Sequence, residues 1–203
     1  MKTYGRRIRL TPEEEALVLN HRTTTNVGII GDTHEPFCHP EYRNFCYDVF
    51  NRFGVKEIIH IGDEVDNAAL SYHESELEMP NAVQEAELAQ RAMEEWYKTF
   101  PHVKVCVGNH SALPFRQATT AGIPKRYLKT YEEIWNAPDG WKWQMEWEID
   151  NVLYVHGTGS SGVSGARNRA IANRQSTVIG HSHSFGGVSY MASRNDIIFG
   201  MNV

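Results

Sequence analysis

The chain has 203 residues, 41% apolar and 22% charged, and a formal net charge of −5 with its ten histidines neutral. That length suits one ordinary domain with a real core, and the near-average composition excludes disordered and fibrous classes. No apolar run approaches the ~18 residues that span a bilayer, so a membrane partner is excluded as well.

The basic start, Met1 to Leu10, is followed by no apolar stretch, which argues against a secretory signal. The three cysteines, Cys38, Cys46 and Cys106, form no C-x-x-C pair. A cytoplasmic protein without a disulfide framework or thiolate zinc site is the expectation. Charge is unevenly spread. Glu64 to Glu95 is strongly acidic, whereas Ser111 to Tyr131 and Asn151 to Asn195 contain no acid and carry Arg116, Lys125, Arg126, Lys129, Arg167, Arg169, Arg174 and Arg194. Those stretches favour anions locally, although either alone reads equally well as a solvated face.

In chain order, residues 1–25 read as a helical appendage. Thr11 is placed to cap a helix, Pro12 fills its first turn and acids follow, giving a helix to about His21. The core domain spans 26–203. Residues 26–30, 57–61 and 103–107 are short apolar runs expected as buried strands. Between them, Pro40 to Phe53 and Pro80 to Phe100 show helical spacing of apolar residues. Alternating strands and helices imply a largely parallel sheet. From Trp141 to Asp150, apolar and polar residues alternate strictly, which predicts one strand, with a tight turn at Asp150-Asn151. Strands at 152–155, 176–179, 185–190 and 196–199 and a helix over 165–175 complete the second half, which reads as more antiparallel. The simplest architecture is α/β: two sheets face to face with helices outside.

Each core strand stops at metal-competent residues beside a glycine: Asp32 and His34, Asp63 and Asp66, Asn109 and His110, His156, then His181 and His183. Ligands gather at the carboxyl ends of parallel strands, so these side chains are expected on one rim. Aspartate, histidine and asparagine suit Mn²⁺, Fe²⁺ or Zn²⁺, and one shared carboxylate can hold two ions ~3.5–4 Å apart. Taken singly, each motif has a plain structural reading as a turn, a cap or a core histidine. Five in order, each closing a strand, do not. His21, His39, His60, His73 and His102 fall outside the pattern and are expected at the surface or in packing.

The ordered set Asp32-x-His34, Gly62-Asp63-x-x-Asp66, Gly108-Asn109-His110, His156-Gly157 and Gly180-His181-x-His183 resembles the calcineurin-like metallophosphoesterase superfamily over residues 26 to about 200. The resemblance implies a four-layer α-β-β-α sandwich of two mixed sheets with flanking helices. It implies two divalent ions, Mn²⁺ first, with Fe, Zn, Ni or Co as alternatives. Asp32, His34, Asp63 and His183 would hold one, and Asp63, Asn109, His156 and His181 the other. His110 would be the general acid, oriented by Asp66, while a metal-bridging hydroxide attacks a phosphomonoester or phosphodiester in line. Asn109 and Arg116 are the candidate substrate contacts.

Two positions depart from the pattern. Ser111 stands where many relatives carry an acid, which leaves the support of the His110 loop open. Asn67 stands where the phosphoprotein phosphatase branch carries arginine, which argues against a dedicated protein phosphatase. Other readings are a nuclease of the same superfamily, disfavoured by the acidic net charge, and a catalytically silent metal-binding scaffold, disfavoured because every motif position is filled.

Overall fold

Strands β1 (Val27–Ile30), β2 (Glu57–His60), β3 (Val103–Cys106) and β4 (Trp141–Gln144) form a sheet in that spatial order, each pair parallel. They belong to a computed structural model that describes residues 11–12, 25–71, 79–160 and 162–203. The helix expected from Thr11 to about His21 lies outside the described residues apart from Thr11 and Pro12.

The sheet is covered on both faces, so its strands are apolar on both. Ile58 and Val105 join an outer cluster, while Ile59 and Cys106 join an inner one. The outer cover is α1 (Tyr42–Arg52) and α2 (Ala82–Thr99). Cys46 from the first, and Ala89, Met93 and Trp96 from the second, pack with Ile30, Val105 and Trp141. Asn81 starts α2 with a capping box: its side chain accepts from the Val83 and Gln84 amides, and Gln84 returns a bond to the Asn81 amide.

Strands β5 (Glu146–Ile149), β6 (Val152–Val155), β7 (Ser176–Ile179), β8 (Gly187–Ala192) and β9 (Ile197–Asn202) form the second sheet, in the order β5-β6-β7-β9-β8. Its inner face meets the first sheet through Tyr154 and Val178 against Ile59, Ile61 and Cys106. Helices α3 (Leu113–Thr120) and α4 (Tyr131–Ile134) lie between β3 and β4, and α5 (Gly165–Asn173) lies between β6 and β7. Ala166 of α5 packs with Val155 and Ile179 on the outer face of the second sheet. Gly200 permits that approach, since a Cβ there would stand 2.5 Å from the Ala166 backbone. The layers are helix, sheet, sheet, helix, as the resemblance implies.

One expectation is corrected. The alternating run from Trp141 to Asp150 is two strands in different sheets. The chain breaks at exposed Met145, sending Trp141 and Trp143 into the outer cluster and Trp147 and Ile149 to the inter-sheet one. Alternation survives the break because same-parity residues are buried on both sides of it. The second sheet is the more antiparallel of the two, as expected. Its outer pairs β5–β6 and β8–β9 are antiparallel, but β6–β7 and β7–β9 are parallel. The Asp150-Asn151 turn is present, with φ of 51° and 61° as a two-residue hairpin needs. Among the described residues no helix is long and apolar enough to cross a membrane.

Candidate metal centre

The loops after β1, β2, β3, β6 and β7 meet at one place. Three glycines in the motifs make room there. A Cβ on Gly108 would lie 2.0 Å from Asp63 Oδ1, one on Gly62 2.6 Å from His156 Nδ1, and one on Gly180 2.5 Å from Asp32 Oδ1. Each strand-terminal glycine thus leaves space for a functional side chain from another strand. His34, Asp63 and His181 adopt left-handed backbone conformations, with φ of 47°, 49° and 68°. Such conformations raise the energy of non-glycine residues by roughly 1–2 kcal/mol each, so the surrounding contacts must fix them. Backbone bonds from the His34 amide to Asp63 (2.9 Å) and from the Glu35 amide to Glu64 (3.0 Å) do so for the first two loops.

The side chains form two triplets of converging ligand atoms, Asp32/His34/His183 and Asp63/His156/His181. Asp63 lies between them. Its Oδ2 is 3.1 Å from His156 Nε2 and 4.0 Å from His34 Nε2. Its Oδ1 is turned away and accepts the amides of His110 (2.8 Å) and Ser111 (3.4 Å). Asn109 Oδ1 stands 2.9 Å from His156 Nε2. All seven expected metal ligands are therefore together. A third triplet joins His34, Asp66 and His110.

The tautomers follow from outer partners. His156 Nδ1 donates to the Ile61 carbonyl at 3.1 Å, which turns Nε2 toward Asp63 and Asn109. His34 Nδ1 donates to Asp66 Oδ1 at 2.6 Å, leaving Nε2 facing His183 Nε2 at 3.1 Å. Asp66 also accepts from His110 Nδ1, at 3.0 Å on its carboxylate and 2.6 Å on its carbonyl. It therefore orients two histidines, of which sequence reasoning found one.

The electrostatics favour positive charge. Burial works against a charged His156, but its hydrogen bond and charge pairing with Asp63 prevail and raise its pKa. Burial would likewise raise Asp63, yet bonding to His156 outweighs it and keeps the carboxyl below its usual range. Burial raises Asp32 despite nearby His156. Among the described residues its buried Oδ1 has no hydrogen-bond partner. An orphaned carboxylate oxygen beside imidazole nitrogens, with the Asp63 carboxylate and the Asn109 carbonyl oxygen close to His156, is a donor set suited to divalent cations. The hydrogen bond that His110 donates to Asp66 lifts its pKa to about 9 and outweighs burial.

The supporting residues were not visible from sequence. His60 is fully buried and held neutral, its pKa pulled down to about 3 by burial. Its Nδ1 accepts the Gly62 amide (3.3 Å), so its Nε2–H donates to Thr33 Oγ1 (3.0 Å), which donates onward to the Glu64 carbonyl (2.9 Å). Ser111 supports the His110 loop by donating to the Glu64 carboxylate at 2.6 Å. Burial pushes that carboxyl up to about 7. Asn67 is buried, and its side-chain amide donates to the His110 carbonyl at 3.0 Å. Arg116 is exposed on α3, lining a shallow cavity with Phe115 and Thr119.

A family model described as calcineurin-like phosphoesterase matches residues 25–195. A search of curated proteins gave no match.

Proposed function

The chain belongs to the calcineurin-like phosphoesterase family, and on that premise we propose that it is a two-metal phosphoesterase hydrolysing phosphomonoesters or phosphodiesters. The observation that carries this reading is the place of Asp63, one carboxylate oxygen lying between the Asp32/His34/His183 and Asp63/His156/His181 groups. Asp32, His34, Asp63 and His183 would hold one divalent cation; Asp63, Asn109, His156 and His181 would hold the other. Mn²⁺ is the first candidate, and Fe, Zn, Ni and Co suit the same donors. Bound there, such ions would acidify a water and neutralise charge on the phosphate.

The chain's own residues supply the rest. Asp66 keeps the proton on His110 Nδ1 and favours the imidazolium, so that Nε2–H can protonate the departing oxygen. Asn109, with Oδ1 toward His156, has its Nδ2–H groups for a phosphate oxygen. Arg116, on the helix that follows the His110 turn, draws the anionic substrate in. Asn67 is engaged with the His110 loop and brings no charge to a phosphate, which supports a non-protein ester as substrate.

The test is turnover of p-nitrophenyl phosphate and bis(p-nitrophenyl) phosphate. Activity that requires Mn²⁺ and vanishes with chelator supports the reading. Failure to turn over either ester with any of the named metals contradicts it and favours a scaffold.

A further inference from the structure

Asp63 keeps one orientation because its Oδ1 accepts the amides of the 108–111 turn, and that turn is itself held from beneath. Glu64 is 0% exposed, although it follows the candidate bridging residue. Its carboxylate accepts from Ser111 Oγ at 2.6 Å and from Trp143 Nε1 at 3.1 Å. Ser111 is 2% exposed, and its Oγ in turn accepts the Gly108 amide at 3.3 Å. The hydroxyl therefore links the Glu64 carboxylate to the first residue of the turn. The last two residues of the same turn aim their amides at Asp63 Oδ1. Glu64 and Asp63 are adjacent in sequence and grip one four-residue turn from opposite sides.

Packing alone does not account for this arrangement. Neither Ser111 nor Trp143 carries a positive charge, and burying a carboxyl against neutral partners is unfavourable by several kcal/mol relative to an apolar side chain of similar volume. A satisfied buried polar network does, however, select one geometry over close alternatives.

We propose that Glu64 and Ser111 form a positioning brace: they fix the 108–111 turn so that Asp63 presents Oδ2 to its ligand partners and His110 stays on Asp66. This rests on the metal reading above. Neither residue touches substrate. Loss of the Ser111 hydroxyl would let the turn relax, and Asp63 would lose the fixed amides that hold Oδ1 in place.

The test compares Ser111→Ala and Glu64→Gln with Trp147→Phe. The control removes another partly buried side-chain bond, Trp147 Nε1 to the Val105 carbonyl at 3.0 Å, which joins β5 to β3 and is none of the bonds that hold the turn. Calorimetric Mn²⁺ titration and thermal melting of the metal-free protein are run on all four proteins, with kcat and KM for p-nitrophenyl phosphate. Brace variants are expected to bind Mn²⁺ about 10- to 100-fold more weakly, the range for residues that orient ligands. Their kcat falls more than KM rises, while Trp147→Phe melts earlier with near wild-type Mn²⁺ affinity. Brace variants with wild-type affinity, or weakened no more than the control at equal loss of melting temperature, overturn the brace alone. Wild-type protein that binds no Mn²⁺ overturns the metal reading and the brace with it. Should Glu64→Gln fail to fold, Ser111→Ala, which removes a single oxygen, carries the comparison.

Discussion

Replacing Gly108 with alanine probes the centre with one methyl group. A Cβ at this position would stand 2.0 Å from Asp63 Oδ1, 2.5 Å from its backbone nitrogen and 2.6 Å from its Cγ. These are backbone and buried side-chain atoms, so no flexible chain end can give way. Overpacking of this kind destabilises by about 1–3 kcal/mol. Displaced Asp63 also weakens its bonds from the His110 and Ser111 amides, and hydrogen bonds to a charged group contribute about 1.5–3 kcal/mol. The sum is about 2.5–6 kcal/mol, which for a domain of this size lowers the melting temperature by roughly 5–24 °C. Manganese affinity should fall with it, because Asp63 is the proposed shared ligand. Gly122→Ala is the matched control. Its φ of +73° strains alanine, but nothing lies within 4 Å. It should destabilise by about 1 kcal/mol and leave Mn²⁺ binding intact. Differential scanning fluorimetry with and without Mn²⁺ reads both. A Gly108→Ala protein with wild-type melting and wild-type Mn²⁺ affinity would refute the packing of Gly108 against Asp63.

Other substitutions test the roles around this point. His110→Ala should lower kcat by about 10²–10⁴-fold, the usual range for a general acid, while calorimetry shows Mn²⁺ binding retained. Asp66→Asn tests the pairing with His110. Because the folded pKa of His110, about 9, exceeds the ordinary 6.5, its stabilising contribution is full below the latter and is lost as pH rises through the former. Asp66, held below 3.8, contributes above that value and loses its effect as pH falls. Metal-free wild type should therefore lose on the order of 1–2 kcal/mol between about pH 6 and about pH 10, after solvent screening, and urea titrations of Asp66→Asn should show less than half that slope. Arg116→Glu should raise KM for p-nitrophenyl phosphate several-fold; unchanged Michaelis parameters would remove Arg116 from the substrate path.

Most of the first sheet was legible because buried parallel strands must be apolar on both faces, and each such run ended in a motif glycine. The convergence of the candidate ligands was legible for the same reason, since strand ends deliver side chains to one rim. What escaped depended on contacts distant in sequence. A period of two reports which face a residue presents but not which sheet it joins, so the break at Met145 was invisible. The parallel centre of the second sheet depends on how the helix 165–173 and the β8–β9 hairpin return the chain. Asp66 accepts from His34, 32 residues away, and the resemblance implied only its tie to His110. His60 looked like packing because nothing local to it revealed the relay through Thr33 to Glu64. In the unassigned segment 111–140, Thr130 and Glu133 form a capping box that does head a helix, a signal that was present but unused.

The most direct measurement is an anomalous difference map from crystals grown with Mn²⁺, collected near the manganese edge. Two peaks should appear, both in contact with Asp63, one also against Asp32, His34 and His183 and the other against Asn109, His156 and His181. A single peak, or peaks that leave Asp63 without a metal, would contradict the shared-carboxylate centre.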